Sequence, residues 1–257
     1  MKVVINAQEL PSACAFVPTM GALHAGHGSL FSIASEYSDD VVASIFVNPL
    51  QFESKDDLAQ YPRTPDRDIE LAEKYGVTHL WLPTQEEIYP AGFPQLTAGP
   101  IAKLYEGASR PGHFDGVVTV VRRLFDLVKP KVAIFGEKDF QQLTLIREIA
   151  QEVEIIAAPI IREEDGLAMS SRNMRLDSQG RIAARIISQA LREAKNESEL
   201  REILATEEAF TLDYADYIDE KTFLPPAEGT QFTRAIVAGW INGVRLLDNM
   251  PVKSEQK

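Results

Sequence analysis

The stretch FVPTMGALHAGHGSL, Phe16 to Leu30, joins an apolar run to a glycine-rich loop that carries two of the four histidines of the chain. The run CAFVP that leads into the loop predicts a buried strand, and HGSLFSIASEY after it places Leu30, Phe31 and Ala34 at helical spacing. VVASIFV follows as a second apolar run. This order predicts a strand–helix–strand unit with both histidines at the end of its first strand.

The alternation of apolar runs and helical patterns continues to about residue 160. VTHLWL, VAIFG and VEIIAAPI predict further strands, while TPDRDIELAEKYG, GVVTVVRRLFDLV and DFQQLTLIREIAQ predict helices. The first of these helices has Thr64 as its N-cap, Pro65 at its first position and Gly76 at its end. Residues 83–113 are rich in Pro and Gly, and we interpret them as a long functional loop with room for some short structure of its own.

The pattern changes after Ile161. REEDGLAMSSRNMRLD is polar and non-periodic, and two helical runs and the short strand-like runs DYADYI, TRAIVAGWI and GVRLLDN follow it. We therefore predict an α/β fold: a Rossmann-like, doubly wound parallel sheet over residues 1–160, and a smaller α+β domain over residues 161–257. The last residues, VKSEQK, are expected to fray.

The composition of the chain argues against membrane and nucleic-acid-binding functions. The chain has 257 residues, of which 45% are apolar, and this suits a packed globular protein. No apolar run approaches the roughly 18 residues of a membrane span, so we expect no membrane role. The net charge of −12 argues against nucleic-acid binding. Cys14 is the single cysteine and no signal-peptide pattern opens the chain, so the cytoplasm is the expected location.

The two-histidine loop has the features of a phosphate site. In a doubly wound sheet, the backbone N–H groups and the helix dipole at such a strand end receive phosphate. Gly21 and Gly26 permit tight turning and close approach of a ligand, and His24 and His27 are able to donate hydrogen bonds to phosphate oxygens. The alternatives are a pair of packed or solvated histidines, or a metal site, which lacks a third ligand at a telling spacing. The glycines alone match neither G-x-G-x-x-G nor a Walker A sequence.

Two other stretches support phosphate binding. FGEKDFQQL puts Gly136, Lys138 and Asp139 directly after a predicted strand, where Lys138 would supply a point charge; a surface lysine beside a capping aspartate is the alternative. GLAMSSRN puts two hydroxyls and a guanidinium at the predicted domain boundary, where an ordinary linker is the alternative. All three stretches have residue types that suit phosphate binding, and each lies at a predicted strand end or at the predicted domain boundary. A chance occurrence of all three is a poor explanation.

Six blocks of sequence, in order, carry a family resemblance. PTMGALHAGHGSL, SIFVNPLQF, YPRTPDRD, EGASRPGHFDGVVTVVRRLF, FGEKDFQQL and REEDGLAMSSRN together resemble the pantothenate synthetase (pantoate–beta-alanine ligase) family, from about Phe16 to the end of the chain. The H-x-G-H element alone would indicate only the wider nucleotidyltransferase superfamily.

The resemblance implies an AMP-forming ligase of pantothenate and coenzyme A biosynthesis. In this family ATP and (R)-pantoate give pantoyl adenylate and pyrophosphate, and the amine of beta-alanine then displaces AMP to form pantothenate. The resemblance also implies Mg²⁺ bridging the phosphates, a homodimer, and small-molecule substrates as the partners. A separate hypothesis follows from the polarity of MSSRN and its position at the predicted domain boundary: the C-terminal domain acts as a lid, and MSSRN closes over bound ATP.

The resemblance also assigns the residues of the site. Groups that grip the departing pyrophosphate in the transition state would lower the barrier, and the candidates are His24, His27, Lys138, Ser170, Ser171 and Arg172. The implied ATP site comprises Met20, Gly21, Ala22, Leu23, His24, Ala25, Gly26, His27, Gly136, Glu137, Lys138, Asp139, Ile161, Met169, Ser170, Ser171 and Arg172. Whether His27 acts by phosphate stabilisation or by proton donation stays open.

Two glutamines are the candidates for binding the acid substrates. The family pattern places Gln51 near pantoate and beta-alanine and Gln142 near pantoate, and an exposed polar side chain is the alternative for each. Met20, Phe46 and Met169 would supply apolar walls, with core packing as the alternative. No protein ligand of the metal is assigned, because Arg67 interrupts the acidic run after YPRTPD.

Two rival functions remain. A nucleotidyltransferase that joins AMP to a phosphorylated cofactor precursor and releases a dinucleotide would share the H-x-G-H loop, but it does not require NPLQF or EKDFQQL. A non-catalytic ligand sensor on the same fold predicts loss of phosphate-contacting residues, and none is visible in the sequence. A tRNA synthetase is disfavoured by the net charge of −12 and by the lack of room for a large basic region.

Overall fold

The computed structural model describes residues 1–52 and 55–252. The chain divides into two compact units, Met1–Pro159 and Ile160–Lys257. The division that the sequence predicts lies one residue further along. The expected fraying at the C-terminus falls on residues after Val252, outside the described residues.

The N-terminal unit is built on a six-stranded, wholly parallel sheet, and the predicted fold class is confirmed. Its strands are β1 Lys2–Val4, β2 Ala15–Thr19, β3 Val41–Ile45, β4 His79–Trp81, β5 Val132–Gly136 and β6 Glu154–Ala158. Its helices are α1 Ala25–Tyr37, α2 Lys55–Gln60, α3 Pro65–Lys74, α4 Gln85–Ile88, α5 Tyr105–Ser109, α6 His113–Val128 and α7 Phe140–Ile149. The spatial order of the strands is β1-β4-β3-β2-β5-β6.

Helices cover both faces of the central strands, because the strands are apolar on both sides. On one face, Val17 of β2 and Ile134 of β5 share a core with Phe31 of α1. On the other face, Phe125 of α6 packs edge-on against Phe16 of β2 and Phe135 of β5, with ring centroids 6.5 and 6.4 Å apart.

The strand order places a topological switch point at β2. The chain passes from β2 to β3 and β4 on one side and later places β5 on the other side. In such sheets, a crevice opens at the carboxyl ends of the two strands where the order reverses. The loops that follow β2 and β5 therefore meet at one place.

Two features of this unit differ in detail from the sequence prediction. Strand β1 was not predicted, because it has only three residues and two of them are exposed. Residues 83–113 contain α4, α5 and a 3-10 turn at Ile101–Lys103, so the interpreted loop has more regular structure than its Pro and Gly content suggested.

The C-terminal unit packs helices α8 Ser178–Glu193 and α9 Glu197–Leu204 on an antiparallel sheet, as the predicted α+β class requires. The sheet comprises β7 Phe210–Asp219, β8 Thr233–Ile241 and β9 Val244–Val252. Ile187 and Leu200 of the helices share a core with Val237 and Ile241 of the sheet. Within residues 1–52 and 55–252, no helix is long and apolar enough to cross a membrane.

Candidate active site

The loop after β2 is held in an unusual backbone conformation by one carboxylate. Gly21 and Ala22 have φ of +80° and +50°, in the left-handed region. Asp68 of α3 accepts hydrogen bonds from the backbone nitrogens of Ala22, at 3.0 Å, and Leu23, at 2.7 Å. A Cβ on Gly21 would lie 3.0 Å from Ile45 and 3.1 Å from Asp68, so the loop has little space to adopt another path.

Asp68 is a residue that the sequence analysis missed. Its side chain is 2% exposed, and Oδ1 also accepts a hydrogen bond of 2.9 Å from the Thr64 hydroxyl. Thr64 occupies the predicted N-cap position of α3, but its hydroxyl binds this carboxylate and makes no capping bond. An acid in the first turn of a helix is an ordinary dipole partner, so the sequence held no local signal of a contact 46 residues away.

His24 and His27 form a reciprocal cap at the start of α1. His24 is the N-cap, and its Nδ1 accepts from the backbone nitrogen of Gly26 at 3.1 Å. His27 Nδ1 accepts from the backbone nitrogen of His24 at 3.3 Å, and the two ring centroids lie 4.1 Å apart. Because each Nδ1 accepts, the ring proton of each neutral imidazole lies on Nε2. Nε2–H is therefore the ring N–H donor of both histidines.

The electrostatic surroundings keep His27 neutral. Burial, followed by the neighbouring His24, lowers the pKa of His27 from 6.5 to about 3; Asp139 acts in the opposite direction and Lys138 in the same direction. His27, from the loop after β2, thus interacts electrostatically with two residues of the turn after β5. The structure brings together His24, His27, Lys138 and Asp139 at the switch point.

Lys138 lies in a 3-10 turn, Glu137–Asp139, between Gly136 at the end of β5 and the first residue of α7. Its ammonium group lies 3.1 Å from a carboxylate oxygen of Asp139, and its side chain is 17% exposed. Lys138 is therefore largely buried, and the alternative of an exposed surface lysine does not describe it.

Gln51 is buried, and its amide has a fixed orientation. It ends a 3-10 turn, Pro49–Gln51, and its Oε1 accepts a hydrogen bond of 2.9 Å from Asn48 Nδ2. The orientation of Asn48 is set in turn, because its Oδ1 accepts from the Leu50 backbone nitrogen at 3.2 Å and the Tyr89 hydroxyl at 2.7 Å. The Oε1 end of the Gln51 amide is therefore occupied by Asn48, and Nε2 carries the donors of this side chain.

Gln142 and its neighbour Gln141 differ in environment. Gln141 is buried, and its Nε2 donates to the carbonyl oxygens of Ile101 and Leu104, both at 2.8 Å. Gln142 is half-buried. The structure thus gives Gln141 a scaffold role and leaves Gln142 as the candidate for substrate.

A cavity of about 340 Å³ lies beside the histidine loop. Met20 and Phe46, which the sequence analysis offered as apolar walls, both line it, together with Arg63 and Asp68. Five described candidates are not part of its lining: His24, His27, Lys138, Gln51 and Gln142. Its volume is in the range of small-molecule sites.

In the C-terminal unit, GLAMSSRN is a structured segment and not an extended linker. Ser170 caps a 3-10 turn, Ser171–Arg175, by accepting from the Arg172 backbone nitrogen at 3.3 Å. Met169 donates its backbone N–H to the carbonyl oxygen of Ile161 at 3.0 Å. Buried Asn173 donates to the Ala168 carbonyl oxygen at 3.0 Å, and this bond holds the turn against the preceding residues.

The described residues contain no group of three or more His, Cys, Asp or Glu side chains arranged to hold a metal ion. Asp68, the buried acid of the run after YPRTPD, already accepts three hydrogen bonds from the protein. The sequence assigns no metal ligand, and no such group of side chains is present among the residues that the structure describes.

The fold and the loop define a class: a Rossmann-like α/β protein with an H-x-G-H loop at its switch point. Residues 1–251 match the model of the pantoate–beta-alanine ligase family. The chain is 47% identical over 265 residues to a pantothenate synthetase of Acidothermus cellulolyticus, covering 95% of this chain and 87% of the relative. It is 43% identical over 254 residues to the pantoate–beta-alanine ligase of Schizosaccharomyces pombe, covering 92% and 90%. The chain belongs to the pantoate–beta-alanine ligase family.

Solved structures agree with this membership. The pantothenate synthetase of Thermus thermophilus superposes with a TM-score of 0.92 at 41% identity, covering 98% of this chain and 99% of that one. The Francisella tularensis pantoate–beta-alanine ligase, solved with beta-gamma ATP and beta-alanine, has a TM-score of 0.83 at 36% identity and covers 97% of each chain.

Proposed function

We propose that this chain condenses (R)-pantoate with beta-alanine at the expense of ATP, through pantoyl adenylate, releasing AMP and pyrophosphate. The observation that carries the proposal is the meeting of His24, His27 and Lys138 at the carboxyl ends of neighbouring strands β2 and β5. The family's activity supplies the identity of the acid and the amine.

The first step moves negative charge toward the departing phosphates. A carboxylate oxygen of pantoate bonds to the α-phosphorus, and the bond from that phosphorus to the bridging oxygen breaks with its electron pair on pyrophosphate. The Nε2–H groups of His24 and His27 and the Lys138 ammonium stabilise that charge. Since the pKa of His27 is about 3, we assign it hydrogen-bond stabilisation in preference to proton donation.

The second step forms the amide. The free amine of beta-alanine attacks the acyl carbon, the bond from that carbon to the phosphate oxygen breaks with its electron pair on AMP, and AMP leaves. The attacking nitrogen gives up one proton to water, and the product is the neutral amide. We propose that the Gln51 Nε2 donors and Gln142 bind oxygens of pantoate in both steps. We also propose that Ser170, Ser171 and Arg172 bind phosphate oxygens, and that the C-terminal unit acts as the lid.

ATP is proposed to bind as its Mg²⁺ complex, because Mg²⁺ is commonly held mainly by substrate phosphates and water, with one or two carboxylates. Asp139, beside Lys138, is the carboxylate that we propose for this contact. Mg²⁺ would neutralise phosphate charge during the transfer.

A homodimer and a cytoplasmic location are also proposed from the family resemblance; light scattering should then give about twice the 28.6 kDa chain mass.

The test of the reaction uses ATP, Mg²⁺ and pantoate labelled with ¹⁸O in its carboxylate, with and without beta-alanine. Pantoate should promote pyrophosphate release, and complete turnover should give pantothenate and AMP that carries one ¹⁸O atom. Label in AMP follows because the bridging oxygen of the acyl adenylate comes from pantoate.

Unlabelled AMP would contradict an acyl-adenylate intermediate. A dinucleotide product formed with a phosphorylated substrate would instead support the adenylyltransferase alternative. The H27A and K138A variants should lower turnover by about 100-fold or more while the thermal unfolding curve stays cooperative.

A further inference from the structure

Two side chains outside the predicted site hold the backbone of Gln51. Arg110 lies just after α5, and His113 is the first residue of α6. Arg110 Nη2 donates to the Gln51 carbonyl oxygen at 3.2 Å, and His113 Nδ1 lies 2.9 Å from the same oxygen. His113 is 8% exposed, so this contact is shielded from water.

The contact between Arg110 and His113 fixes the tautomer of the histidine. Arg110 Nη1 lies 3.1 Å from His113 Nε2. A guanidinium has only donors, so Nε2 is the acceptor and the proton of the neutral imidazole lies on Nδ1. His113 is therefore a donor to the Gln51 carbonyl, and that oxygen receives two hydrogen bonds.

Gln51 is consequently held at both of its ends. The carbonyl is bound by Arg110 and His113, and the side-chain oxygen is bound by Asn48. Gln51 belongs to a 3-10 turn of three residues, and so short a turn has few backbone bonds of its own to set its position. The side chains around it must do so.

The segment that carries Arg110 is itself anchored beside Gln142. Gln141 of α7 accepts from the backbone nitrogen of Glu106 at 3.1 Å and donates to the Leu104 carbonyl oxygen at 2.8 Å. Residues 104–113 therefore connect the backbone of Gln51 to the helix that carries Gln142.

We propose that Arg110 and His113 are positioning residues that place the Gln51 amide against pantoate. The inference rests on the proposed function. Its specific content is that the Nδ1–H donor of His113, and not merely a polar side chain at residue 113, sets the affinity for pantoate.

Two amide substitutions of His113 separate these possibilities. Asn places its amide nitrogen close to the position of Nδ1 and is able to keep the bond to Gln51. Gln places its amide near Nε2 and loses that bond while it keeps an acceptor for Arg110. H113Q should raise the KM for pantoate about fivefold, the effect of one lost neutral hydrogen bond, and the KM for ATP should change by less than about twofold. H113N should stay within about twofold of the wild type for both constants.

R110K removes the guanidinium fork and is an independent test if H113Q does not fold; it too should raise the KM for pantoate and spare the KM for ATP. H79N, a substitution of the half-buried histidine at the start of β4, is the matched control and should change neither constant.

Equal pantoate KM values for H113N and H113Q, or parallel increases in both KM values, would overturn the positioning role while leaving the proposed function intact. A wild-type protein without pantoate-dependent pyrophosphate release would overturn both.

Discussion

At the level of single residues, the proposed phosphate-binding role of the loop after β2 rests on neutral groups. His24 and His27 each direct Nδ1 to the backbone of the same loop, and this fixes both tautomers. The rings therefore combine a structural and a proposed catalytic role, which is why substitution of either is expected to move the loop as well as remove a donor.

The lowered pKa of His27 predicts a pH dependence of stability. The unfolded chain protonates this histidine below about pH 6.5, whereas the folded chain does so only near 3. Stability due to His27 is therefore present above pH 6.5 and is lost as the pH falls. Between pH 6 and 4.5 the wild type should lose about 1.4 kcal/mol per pH unit relative to H27N.

Urea unfolding of both proteins at several pH values measures this difference, and the comparison cancels the contribution of the carboxylates. Parallel stability curves for the two proteins would show that His27 titrates normally in the folded state.

The buried carboxylate of Asp68 provides a second prediction. In D68N, one side-chain oxygen becomes an NH₂ group that faces backbone N–H donors, so the free energy of unfolding should fall by about 2 kcal/mol. Displacement of the histidine loop should also lower kcat/KM by roughly tenfold or more.

Chemical denaturation and steady-state kinetics test both effects. D66N is the matched control, since Asp66 is an exposed acid in the same first turn and should alter stability by only a few tenths of a kcal/mol. A D68N protein that behaves like D66N would remove the anchoring role.

The sequence indicated the candidate residues of the site but did not indicate the residues that hold their loops in place. Histidines among glycines and a lysine after a strand are local patterns, and the structure does bring His24, His27 and Lys138 together. Asp68, Arg110 and His113 act through contacts 45 or more residues away in sequence. These contacts could not be predicted, because the local sequence around each residue does not show whether its side chain binds a distant backbone group or faces solvent.

At the level of elements, the longer strands and helices were predictable because their apolar periodicity is strong. β2, β3 and β5 are nearly continuous apolar runs, and α6 presents a wide apolar face. Strand β1 and helix α5 are three and five residues long. Elements so short depend on tertiary contacts, which sequence periodicity does not report.

The approach of α6 to the turn that carries Gln51 depends on Gly116. A Cβ at this position would lie 2.2 Å from the Leu50 carbonyl oxygen, which is backbone and cannot rotate away. G116A should therefore destabilise the protein by about 2 kcal/mol, despite the higher helix propensity of Ala. It should also raise the KM for pantoate more than the KM for ATP, because Asn48 donates to the Gly116 carbonyl oxygen.

Thermal unfolding and kinetics with each substrate varied in turn measure these effects. An increase in stability, with both KM values unchanged, would show that the turn and the helix separate easily.

At the level of the whole molecule, each compact unit has a hydrophobic core of its own. We therefore predict that a fragment of residues 1–159 folds alone, with a cooperative thermal transition by circular dichroism. The fragment should not turn over, because it lacks Ser170, Ser171 and Arg172. A fragment with no cooperative transition would show that the N-terminal unit needs the rest of the chain.

The order of the strands also bears on how the protein is made. β3 begins at residue 41 and is available to pair with β2 once both have left the ribosome, whereas β5, the other neighbour of β2, begins only at residue 132. During synthesis, the edge of β2 that pairs with β5 in the folded sheet therefore stays unpaired while some ninety residues are added. An open apolar edge is a template for wrong pairing, so a pause in translation before residue 132 would prolong the time during which this edge is exposed to it.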